Sequence, residues 1–238
     1  MPAPMKDRDN VPVSIHEEMI ARHYARDPQT KEVVGDPTIG IMHDAMQAAR
    51  IATEKAKRIA AAVMANEMVT VPARHREVKD KGWRAVEPGL RQLDAARAAA
   101  VKEIDRLAAL TSAPPRPTTP VDVMLASEVR ARFASMTDKQ RAAALVAAVA
   151  DDTVVAAVLN GPAMLSGITA ETMEMLRHRW RAERHGPDID RMQRLGRAVE
   201  DIDRAGQLIV RFYTGLSNSE IVERAEASER AVQEALRA

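Results

Sequence analysis

Residues 38–68 read TIGIMHDAMQAARIATEKAKRIAAAVMANEM. Met42, Ala45, Ala49, Ala52, Ala56, Ile59 and Val63 follow one another at alternating steps of three and four. That spacing places them on one face of a helix, as a heptad seam filled mostly by small side chains. Asp36-Pro37 supplies the start, with Asp as N-cap and Pro at the first helical position. The opposite face is polar, through Gln47, Arg50, Glu54, Lys57 and Arg58. Such a helix is not stable alone and must lie against a partner. A second segment, Leu90 to Leu110, has matching length and pattern, with Leu90, Leu93, Ala96, Ala100, Ile104 and Leu107 inward. The spacing therefore predicts a long antiparallel helical hairpin over 38–110, its seam used within the chain rather than in a coiled-coil dimer.

Composition sets the class. The 238 residues hold no cysteine, so disulfides, thiolate metal sites and Cys nucleophiles are excluded. Aromatic residues make up only 3%, and alanine dominates the apolar fraction, which suits close helix packing better than sheet layers. Met68-Val69-Thr70-Val71 is the best strand candidate and is short. The net charge of +1 supplies no global field toward nucleic acid or membrane. Arginine outnumbers lysine, as in proteins of GC-rich bacterial or viral genomes. No signal peptide opens the sequence and no run of roughly 18 apolar residues occurs, so no membrane partner is expected.

The rest of the chain reads as helices and their punctuation. Residues 1–37 form an arm and a short helix, opened by a capping box of Ser14 and Glu17, then a turn-rich connector with an extended Glu32-Val33-Val34. Residues 111–120 carry four prolines, a stiff linker where the domain boundary is expected. Residues 121–238 then form a second bundle of shorter capped helices. Thr119, Thr137, Asp152, Thr169, Ser217 and Ser228 are the expected caps, and Gly161-Pro162, Gly186-Pro187 and Gly215 the stops. The fold class is all-α.

Chemistry-bearing motifs are few. Residues 69–88 read as a basic loop around Trp83, broken by Pro72, Gly82 and Pro88. Arg74, Arg76, Lys79, Lys81 and Arg84 are its candidate contacts to a phosphate backbone; a solvated loop anchored by Trp83 explains them as well. His16 and His23, and His178 and His185, are each seven apart, about 10 Å along a helix, too far to share one ion. Asp151-Asp152 and Asp188/Asp190 sit where helix N-termini favour negative charge. No HExxH, phosphate-binding loop or nucleophile elbow occurs. The reading is therefore of a protein with no catalytic, cofactor or metal site.

Two resemblances add to this. Gly215-Leu-Ser-Asn-Ser-Glu-Ile-Val-Glu-Arg224 followed by Ser228-Glu-Arg-Ala-Val232 resembles the helix-turn-helix of LuxR-type regulators and sigma-factor-like proteins, with Ala225-Glu226-Ala227 in place of the usual Leu-Gly-hydrophobic turn. It implies a DNA-binding regulator. Val158-Leu-Asn-Gly-Pro-Ala-Met-Leu-Ser-Gly-Ile-Thr169, with the arginine-rich helix to His185 and the helix after it, resembles uncharacterised proteins encoded among the virion genes of tailed phages and prophages. It implies a structural or assembly component, placed in a virion assembled in the bacterial cytoplasm. Its partners would be other virion proteins or copies of itself. The second reading leads; the regulator is the alternative.

Overall fold

Asp36 caps the first long helix as expected, its carboxylate accepting from the Thr38 amide at 3.0 Å. That helix, α2, runs Pro37–Met64. The computed structural model describes residues 11–112, 114 and 116–237; most of the expected arm at 1–12 lies outside them. Met42, Ala45, Ala49 and Ala56 are buried along the predicted seam, and Ala52, Ile59 and Val63 are half-buried at its edge. Thr53 is the one polar residue buried on α2, and its hydroxyl donates to the Ala49 carbonyl at 2.7 Å.

The partner helix is longer than its pattern suggested. α3 spans Val71–Ser112, so the basic stretch expected as a loop is helical. Its apparent breakers have other roles. Pro72 lies in the first turn, where no amide is needed. Gly82 lies beneath the Tyr213 ring, where a Cβ would come within 3.2 Å. Gly89 lies against α2, where a Cβ would meet Ala49 Cα at 2.9 Å and Ala52 Cβ at 3.0 Å. Pro88 is the real violation, and α3 continues through it. Residues 65–70 form the connection and Val71 opens α3, so the strand expected at 68–71 does not form. Arg74 reaches back across this turn and donates to the Met64 carbonyl at 2.7 Å, satisfying an orphan at the end of α2.

Ahead of the hairpin, the expected capping box at Ser14 does not form. A single 3-10 turn, Val13–Ile15, precedes a one-turn helix α1, Glu18–Ala21. Glu17 turns to Arg50 of α2 instead. Ile15 of the turn and Ile20 of α1 are fully buried. The predicted extended residues are present as β2 (Val33–Val34), paired antiparallel with β1 (Ala25–Arg26).

Capping boxes at Thr119 with Asp122 and Thr137 with Gln140 open α4 (Pro120–Ala134) and α5 (Asp138–Ala148). α6 (Asp152–Leu159) is capped by Asp151, one residue before the expected cap. Asn160 ends α6 in a right-handed conformation, and Gly161 does not take the left-handed one; that falls to Gly167, at φ +64°, after a 3-10 turn at Ala163–Ser166. Thr169 caps α7, which runs Ala170–Gly215. Gly186-Pro187 bends it rather than ending it, with His185 at φ −124°, ψ 21°. The tail is one helix, α8, Ser219–Ala235, capped by Asn218. The two helices and turn expected at 217–238 are absent: Ala225-Glu226-Ala227 holds no residue that stops a helix.

The chain divides into two compact units, one of residues 1–102 with 194–238, the other of 103–193. The boundary expected at the prolines, with all of 121–238 in a second domain, is corrected accordingly. α7 contributes to both units, and beyond Arg194 it buries Leu195, Ala198, Ile202 and Ile209 in unit 1. The core of unit 2 is Phe133, Leu145, Val149, Val158, Leu176 and Trp180.

Candidate interaction surfaces

Three places in the described residues gather chemistry. The first holds the basic residues of α3. Arg76 pairs with Glu229 of α8, Lys79 with Glu226 at 3.1 Å, and Lys81 with Glu77 on its own helix. Arg74 is turned to the Met64 carbonyl, and Arg84 is exposed. α3 brings these residues onto several faces instead of gathering all five in one loop. The glutamates of α8 meet two of them. His75 completes the contact, its Nδ1 accepting from the Asn218 amide at 3.1 Å. Burial and the neighbouring Arg74 charge lower the His75 pKa, which favours the neutral ring this bond requires. Tyr213 donates to the Lys79 carbonyl at 2.6 Å and tilts against Trp83 at 5.5 Å. Trp83 thus anchors a helix, not a loop.

The second place is a buried charge cluster that sequence reading missed. Asp201, 5% exposed, accepts two bonds from one Arg22 nitrogen, at 2.9 and 2.7 Å. His23 Nε2 lies 2.7 Å from the same carboxylate. Burial raises the Asp201 pKa, but the His23 and Arg22 hydrogen bonds outweigh it and hold the carboxyl below its usual range. Nearby, Arg50 binds Glu17 through two nitrogens, at 2.8 and 3.0 Å, and Glu54 at 2.9 Å. The Arg50 hydrogen bonds pull Glu17 down to about 2 against opposing burial. In both clusters each charge is paired with a counter-charge: Arg22 and His23 with Asp201, and Arg50 with Glu17 and Glu54. They tie residues 17–23 to α2 and α7. No signal in the sequence links Arg22 to a residue 179 positions away.

The third place is the apolar surface of unit 2. On α4, Val121, Met124 and Leu125 lie on one face and are 72%, 66% and 42% exposed. Between α5 and α7 runs a groove of about 550 Å³, with Leu145, Ile168 and Leu176 among its lining. Val146 and Met175 line it too and are mainly exposed. At one end Arg141 is committed to the Phe133 and Met136 carbonyls, at 3.0 and 2.6 Å, joining the end of α4 to α5. At the other, Arg179 is exposed and engages no partner among the described residues.

Among the described residues, no group of three or more His, Asp or Glu side chains is placed to hold a metal ion. No helix among them is long and apolar enough to cross a membrane. No family model matches the chain, and neither a curated protein nor a solved structure matches it.

Proposed function

We propose that the protein is a non-enzymatic structural or assembly component that works through protein–protein contacts. The observation that carries this is the bare apolar surface of unit 2. Val121, Met124 and Leu125 stand together on α4, outside the buried core of Phe133, Leu145, Val149 and Val158. Contiguous apolar surface of this kind marks contact sites for other macromolecules. The charged clusters, by contrast, are satisfied within the chain and serve its folding. The resemblance of residues 158–185 and the following helix to proteins of tailed-phage virion genes extends the reading to a virion component.

A photoreactive side chain introduced at Met124 or Met175 tests it in cells that make the protein. Discrete adducts with defined proteins are expected at both positions, and none at exposed Glu183 on α7. Absence of adducts at both positions overturns the proposal. So does salt-sensitive binding of duplex DNA that is lost on deleting residues 217–238.

A further inference from the structure

The α4 face and the α5/α7 groove share a spacing. On α4, Val121, Met124, Leu125 and Glu128 stand at steps of three, one and three. On the groove wall, Thr172, Met175, Leu176 and Arg179 of α7 stand at the same steps. Seven residues of helix span about 10.5 Å in each case. Both sets end in an exposed charge without an intrachain partner among the described residues, negative Glu128 on one and positive Arg179 on the other. Laid parallel in this register, Val121 lies over Thr172, and Met124 and Leu125 over Met175 and Leu176. Glu128 then meets Arg179. Val146 of α5 closes the second wall.

We propose that the partner of this surface is a second copy of the chain, with α4 of one copy seated in the α5/α7 groove of the next. This rests on the assembly reading above and names its partner. The contact joins two different surfaces, so each copy keeps a free α4 face at one end and a free groove at the other. Such head-to-tail contacts grow into rings or open filaments rather than stopping at a two-fold dimer. One helix in one groove is a small interface, so assembly is weak and concentration-dependent. The charge pair fixes the register more than the affinity.

The test is the mass of the full chain by sedimentation and light scattering over a range of concentrations. The wild type is expected to grow past a dimer as concentration rises. Met124→Asp, with a blocked knob, and Val146→Asp, with a blocked groove, are each expected to remain monomeric. Mixed, they form a one-to-one dimer that grows no further, because one intact knob meets one intact groove. Both positions are more than half exposed, so the fold should survive, and circular dichroism checks this. Glu128→Arg and Arg179→Glu supply an independent arm. Each alone weakens assembly by setting like charges against each other, shifting growth to higher concentration, and the two together in one chain restore it. Assembly of Val146→Asp with loss in Met124→Asp indicates α4 paired on α4 and overturns the inference. A wild type that stays monomeric also overturns it. If photo-crosslinks at Met124 still join a different protein, the assembly reading stands without this partner.

Discussion

Replacing Gly89 by alanine tests how closely α2 and α3 are packed. A Cβ at Gly89 would lie 2.9 Å from Ala49 Cα and 3.0 Å from Ala52 Cβ. Comfortable carbon contacts need about 3.5–4.0 Å. One of the obstructing atoms is backbone, so no rotamer change relieves it, and the helices must part locally. Overpacking of this kind costs about 1–3 kcal/mol. The substitution also removes a helix-interior glycine, which returns up to ~1 kcal/mol. Gly206 of α7 provides the control, because a Cβ there meets nothing within 4 Å. Gly206→Ala should therefore stabilise by up to ~1 kcal/mol, from the propensity gain alone. The same chemical change at the two sites is then expected to differ by about 1–3 kcal/mol, which isolates the packing cost from propensity. Urea unfolding followed by far-UV circular dichroism reads the difference as a shift in midpoint at equal slope. If Gly89→Ala is as stable as Gly206→Ala, the close contact across the hairpin is wrong.

Two further perturbations bear on the tie between residues 17–23 and the helices. Asp201→Asn removes the charge that both Arg22 and His23 address, and should cost about 1–3 kcal/mol. It should also open the segment around Arg22 to limited proteolysis, and a resistant, equally stable variant would contradict the cluster. Acid titration checks Glu17, whose folded pKa of about 2 lies below its ordinary 4.5. A depressed carboxylate contributes stability that is fully present above pH 4.5 and fades as pH falls toward 2. After screening by solvent this is about 1–2 kcal/mol. Glu17→Gln should lose it near neutrality and show a flatter profile across that window; an unchanged profile would refute the assignment.

The sequence made the hairpin legible because two independent signals agreed on it. The Asp36-Pro37 start and the seam from Met42 to Val63 both describe one helix. The caps at Thr119 and Thr137 were readable because each is a local contact within four residues. Errors arose where a local signal met a tertiary one. Gly82 and Gly89 look like breakers in isolation, but their missing side chains make room for Tyr213 and for α2. Glu17 has the spacing of a capping residue, yet Arg50 donates two charge-assisted hydrogen bonds to its carboxylate, which a single amide cannot match. At the tail, Ser228 resembles a cap, but nothing before it ends the helix. The basic residues at 74–84 were readable as a cluster in sequence. Their pairing with Glu226 and Glu229, about 150 positions later, was not.

The two tryptophans offer a way to watch the units separately. Trp83 lies in unit 1 and is 40% exposed beside Tyr213; Trp180 lies in unit 2 and is 2% exposed in its core. The chain holds no other tryptophan. Each unit thus carries its own fluorophore, with different solvent access. In Trp83→Phe the remaining emission reports on unit 2 alone, and in Trp180→Phe on unit 1 alone. Whether the two melt together or in sequence becomes a matter of comparing two emission curves, with no label added to a chain that has no cysteine to carry one.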